Sequence, residues 1–105
     1  VDKKHMKSLT RGLVVVPNAA ADLSTVDTWV YQIVVANIDS SGCTFKVTDK
    51  QGSPLELIPT VTLGATTVTV YSFPEGVLMK SGVNWVAGTA NKLRAEVVGY
   101  QIVGS

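Results

Sequence analysis

The sequence predicts an all-β protein: a single antiparallel β-sandwich, jelly-roll or Ig-like, of seven to eight short strands, preceded by a flexible basic N-terminal arm. Three observations predict it. Short β-branched runs fill the last two-thirds of the chain. Gly, Asn, Asp and Ser punctuate them at close intervals, and apolar residues at helical spacing are almost absent. At 105 residues the chain is one domain, enough to bury roughly 60–70% of the surface its unfolded form exposes. We divide it into the arm, residues 1–11, and a sandwich domain, residues 12–105.

The arm holds Lys3, Lys4, Lys7 and Arg11 against Asp2 alone. With no apolar periodicity it is expected to be disordered in solution and to order on a partner. Gly12–Val16 gives a first strand, stopped by Pro17-Asn18. Ala19–Asp27, rich in small residues, reads as a loop. Thr28–Ile38 is the longest early strand and is apolar on both sides. Trp29, Tyr31, Ile33 and Val35 lie on one face, Val30, Val34, Ala36 and Ile38 on the other. An antiparallel strand with one wet face should instead alternate. Asp39–Gly42 then turns into Cys43–Thr48, making a predicted hairpin, and Asp49–Pro54 turns again.

Leu55–Ile58 and Thr66–Phe73 follow, the second with Val68 and Val70 opposed to Thr67, Thr69 and Tyr71. Pro74-Glu75-Gly76 ends that strand. Val77–Met79, Val83–Ala87 and Leu93–Val103 complete the set. In the last, the inward series Leu93, Ala95, Val97 gives way past Gly99 to Val98, Tyr100 and Ile102. That shift is either a β-bulge or a strand end buried on both sides. The expected core is Val14, Val16, Ile33, Val35, Phe45, Val47, Val68, Val70, Trp85, Leu93, Ala95 and Val97.

The chemistry available is narrow. The chain has one His and one Cys, too few for the ligand sets of His/Cys metal sites or for a nucleophile–base pair on a fixed frame. Cys43 alternates with Phe45 and Val47 and reads as a small core residue. The acidic residues fall mostly in turns, and no spacing singles out a catalytic pair. We therefore expect no enzymatic activity, no cofactor and no metal. No apolar h-region lies near the start and no apolar run approaches 18 residues, so neither a signal peptide nor a membrane span is expected. The basic residues cluster without interleaved aromatics, so nucleic acid is not the expected partner.

Charged residues make up 16% of the chain, against about 25% for a typical soluble domain. Such a surface suits burial against other protein. Candidate docking residues are Lys3, Lys4, Lys7 and Arg11 of the arm, Val30 and Val34 of the second apolar face, and Tyr100 at the end of the last strand. A rival reading is a carbohydrate-binding module using Trp29, Tyr31 or Tyr71 as platforms; the opposing reading of these rings is packing.

Two stretches carry a resemblance. Val35–Gly52 has the form of an apolar strand, Asn, a small polar turn, a Thr-rich strand and Asp-x-x-Gly; Phe73–Trp85 has the form Phe-Pro-x-Gly-apolar followed by Ser-Gly-apolar. Together they resemble small β-sandwich virion proteins of tailed bacteriophages, the kind that decorate capsids or build head and tail accessories. The resemblance implies a non-enzymatic structural protein present in many copies, usually a homo-oligomer. Its partners would be itself and the major capsid protein or another virion protein. It would be made in the host cytoplasm and located in the virion, with a tail or neck component as a close variant.

Overall fold

The computed structural model describes residues 4–9 and 12–104 and builds them into two antiparallel sheets, with no helix among the described residues. The strands are β1 (Lys4–Ser8), β2 (Val14–Val15), β3 (Ala21–Ser24), β4 (Thr28–Asn37), β5 (Cys43–Asp49), β6 (Glu56–Leu63), β7 (Val68–Met79), β8 (Val83–Ala87) and β9 (Leu93–Gly104). The larger sheet runs β1-β9-β4-β7, with β2 also paired to β9; the smaller runs β3-β8-β5-β6. The pairing is nested: β1 and β2 with β9, β3 with β8, β4 with β7, β5 with β6. A long hairpin rolled up in this way is a jelly roll, which decides between the two sandwich types expected.

The core lies between the sheets. Ile33, Val35, Phe45, Val47, Trp85, Leu93, Ala95, Val97, Val16 and Cys43 are buried as expected, with Phe45 and Trp85 rings 6.4 Å apart. Three expected core residues are not there: Val14, Val68 and Val70 are 38%, 66% and 52% exposed. On β7 the inward places go to Thr69, Tyr71 and Phe73, because Tyr71 pairs with the buried Ile33 and Thr69 with the buried Val35. Two aromatic rings bury more apolar area than two valines, so they win the inner face. Leu9, Val30, Ile58, Leu63, Met79, Val83 and Ala87 join the core instead.

Three local expectations are corrected. The free arm is, over Lys4–Ser8, an edge strand in register with β9, and Leu9 is buried with its N–H donating to Gly99 O at 2.9 Å. The physical reason is Leu9, an anchor that the charges around it mask. The supposed loop 19–27 contains β3, paired to β8 through a bulge between Asp22 and Ser24. And β4 and β5 form no hairpin, since they belong to different sheets. Asn37 makes that corner. It is buried, and its carboxamide donates to Ser41 O (3.0 Å), Leu63 O (3.2 Å) and Gly64 O (3.1 Å) while accepting from Asp39 N (2.9 Å). One side chain thus ties the β4–β5 crossover to the β6–β7 crossover.

Phe45→Ala is expected to cost about 3–5 kcal/mol and Leu9→Ala about 2–5 kcal/mol in urea denaturation, as for other buried large-to-small changes. A Leu9→Ala loss below about 0.5 kcal/mol would return residues 4–9 to the status of a solvated tail.

Candidate functional site on the outer face of the larger sheet

The two outer faces differ in kind. On the smaller sheet, Thr44, Lys46 and Thr48 alternate with buried Cys43, Phe45 and Val47, and their cross-strand neighbours include Thr62, Asn84 and Glu56. Lys46 and Glu56 form an ion pair at 3.1 Å. Asp22 accepts from Lys50 Nζ and from Asn84 Nδ2, and these bonds hold its carboxyl below the usual carboxylate range. A lowered pKa means that these bonds support the fold at neutral pH and are lost as acid protonates Asp22. This is a wet, paired surface.

The larger sheet presents something else. Cross-strand rows place Ala36 beside Val68 and Arg94, Val34 beside Val70 and Glu96, Gln32 beside Ser72 and Val98, and Trp29 beside Leu78 and Tyr100. Val68, Val70 and Tyr100 are exposed, the last at 43%, and Val34 is half-buried. The two charged members sit at one end and are engaged there. Glu96 Oε2 accepts the Gly12 N–H at 3.0 Å, and Arg94 Nη1 donates to Asn91 O at 3.0 Å. Val34, Val70, Val98 and Tyr100 give the face an apolar share, interleaved with Gln32, Ser72 and Glu96.

A bulge creates it. Between Val30 and Gln32 the register of β4 shifts against both neighbours, because Val30 pairs with Gly99 and Gln32 with Val98. Tyr31 is the extra residue. Before it, Thr28 and Val30 point inward; after it, Ile33, Val35 and Asn37 do. The strand that reads as apolar on both faces therefore has one inner and one outer side, with the phase reversed partway along. Gly99 stands opposite, where a Cβ would lie 2.0 Å from the Trp29 carbonyl oxygen. On the far side, β7 swings out as Phe73-Pro74-Glu75-Gly76, since Val77 pairs with Val30 but Ser72 with Gln32. Gly76, at φ +78°, lies against the rings of Tyr31 and Trp29, and Tyr31 meets Tyr100 edge-on at 6.2 Å. An open depression of about 450 Å³ runs along Ser72–Val77.

The docking residues expected from sequence separate. Val34 and Tyr100 are on this face. Val30 is not: it is fully buried, since the bulge sends it inward. Lys3 and Arg11 lie outside the described residues. Lys4 pairs through its backbone with Gly104, and Lys7 is exposed opposite Gln101, on the other side of the ladder from Tyr100. Val68 and Val70 were missed as surface; the bulk of Tyr71 and Phe73 was the signal that could have found them. Trp29 and Tyr31 come together, but Tyr71 packs against the core, so the three do not form one platform. No group of His, Cys, Asp and Glu suited to a metal ion occurs among the described residues.

No protein-family model matches the chain, and no curated protein matches it. Among solved structures it is similar to a chain in the structure of infectious bursal disease virus Gx strain, with 13% sequence identity and a TM-score of 0.41. That likeness covers 99% of this chain and 30% of the other, so this chain spans under a third of that one's length. The functional reading rests on the molecule's own surface.

Gly99→Ala is expected to cost at least the ~1–3 kcal/mol typical of overpacking, because β4 and β9 must separate to admit the methyl. Near-UV circular dichroism should lose intensity with it, as Trp29, Tyr31 and Tyr100 lose their fixed environment. A fully stable variant with an unchanged spectrum would contradict the bulge geometry.

Proposed function

We propose that this protein is a non-enzymatic structural protein of a virion, a capsid decoration or head accessory protein, that works by packing the outer face of its larger sheet against other protein. The observation that carries the reading is the contrast between the faces. The smaller sheet is finished with threonines and ion pairs, while the larger leaves Val68, Val70 and Tyr100 open to solvent. Large apolar side chains held open on one sheet face are what interaction sites present. The jelly roll agrees without deciding, since capsid proteins, lectins and cupins all use it. The expected partners are copies of itself and the major capsid protein, without a cofactor.

Magnitude refines the proposal. β4 is ten residues long, and four strands at ~4.8 Å spacing and ~3.4 Å rise give a face of roughly 650 Å². A standard interface takes about 800 Å² per partner. One such face gives a modest contact, which suits a protein held on a particle in many copies, where linked contacts reinforce one another.

Val34→Lys puts an ammonium into the middle of the apolar rows. It is expected to weaken co-sedimentation with the virions that carry the protein by at least tenfold, because an ammonium buried at an interface loses its hydration and the cross-strand Glu96 carboxylate, already holding the Gly12 N–H, offsets that only in part. The thermal midpoint of the free protein should shift by no more than a few degrees. If the wild type binds no such particle, or the Val34→Lys variant binds it equally well, the packing face is misassigned.

A further inference from the structure

We propose that the outer edge of β7 pairs with the β7 of a second copy of this chain, antiparallel about a two-fold axis centred on Val70. This rests on the reading of the protein as one that works by assembly; it does not depend on what covers the outer face.

The first observation is an unguarded edge. Strand edges expose unpaired N–H and C=O groups, and soluble proteins blunt them with charge, proline, bulges or short length. The other edges here are blunted. β1 carries the exposed Lys7, β2 is two residues long, and β3 is four residues long with Asp22 and a bulge. β6 contains Glu56 and Pro59 and is interrupted by register shifts. On β7 the second half has Pro74-Glu75-Gly76. Its first half, Val68–Phe73, has no charge, no proline and no bulge, and ends the sheet order.

The second observation is which backbone groups are free. Asn37 N–H donates to Thr67 O at 2.8 Å, so Thr67 turns its backbone polar groups toward β4. Peptide groups alternate sides along a strand, so Thr69 and Tyr71 do the same and Val68, Val70 and Ser72 turn theirs outward. Among the described residues nothing pairs with that side.

We take a second copy as the occupant because the segment suits itself. A two-fold pairing uses one patch twice, so the segment must suit itself. Centring on Val70, the middle of the three outward-turned residues, sets Val70 opposite its own copy and Val68 opposite Ser72. Thr69 falls opposite Tyr71. No like charges meet. Each facing pair of outward-turned residues exchanges two hydrogen bonds. The pairing also makes the two outer faces one continuous surface, doubling a docking face that alone is below standard interface size.

The test uses sedimentation velocity on the full chain together with hydrogen exchange. The wild type is expected to show a concentration-dependent dimer, in which the amides of Val68, Val70 and Ser72 exchange at least tenfold more slowly than in dilute monomer. Val70→Pro removes an outward N–H, at the kind of edge position where proline is tolerated in a strand. It should raise the dimer dissociation constant at least tenfold with the fold intact by circular dichroism. Val34→Lys should still dimerise. If Val70→Pro fails to fold, the wild-type exchange pattern decides alone. A wild type that stays monomeric to about 1 mM, a dimer with unprotected β7 amides, or an edge filled only by a different protein would overturn the inference. A monomer that still binds its particle would overturn this pairing and leave the proposed function standing.

Discussion

The constraint on which the rest depends is the close approach of β9 to β4 at Gly99. With the Trp29 carbonyl oxygen 2.0 Å from where a Cβ would be, the two backbones can meet only over a glycine, and β4 answers with the extra residue Tyr31. That single insertion reverses the side-chain phase of a central strand. It buries Val30 and Ile33 together, three residues apart, when strict alternation would set them on opposite faces. It sends Trp29 and Tyr31 outward to meet Tyr100 and the turn at Gly76. The inner and outer surfaces of the larger sheet are both consequences of it.

The periodic parts of the fold were legible in the sequence. Cys43–Thr48 and the Leu93, Ala95, Val97 series alternate without interruption, and the structure keeps that alternation. A register change near Gly99 was legible as well, although the extra residue lies on the partner strand, where the glycine permits it. The reading failed where two sets competed for one face. On β7, Val68 and Val70 compete with Thr69, Tyr71 and Phe73, and the aromatic pair decides the side. It failed too where long-range pairing makes a strand from a weak local pattern, as at β3 and β1. Val34 and Tyr100, both named from the sequence, lie on the outer face. Val30 was misplaced because a phase reversal looks like a strand apolar on both sides.

The corner at Asn37 shows how much of the topology rests on one polar group. A jelly roll must carry its chain from one sheet to the other repeatedly, and each crossing leaves carbonyls without ladder partners. Here the β4–β5 and β6–β7 crossings lie together, and the Asn37 carboxamide bonds carbonyls of both. Every buried side-chain nitrogen and oxygen among the described residues has a partner. Polar demand is thus met in the interior and at the corners, while Val68, Val70 and Tyr100 leave apolar surface on the outer face of the larger sheet.

That distribution gives β7 a double character. Its interruption at Pro74–Gly76 covers the Tyr31 and Trp29 rings and closes the second half of the strand to pairing. The first half, free of such devices, keeps valines on the outer face and free peptide groups on its edge. An isolated protein has no use for that combination, since a flat apolar edge invites uncontrolled association. In the assembly proposed above the same edge and face would be buried together. The proline and glycine would then set where pairing stops, at the position where the aromatic cluster begins.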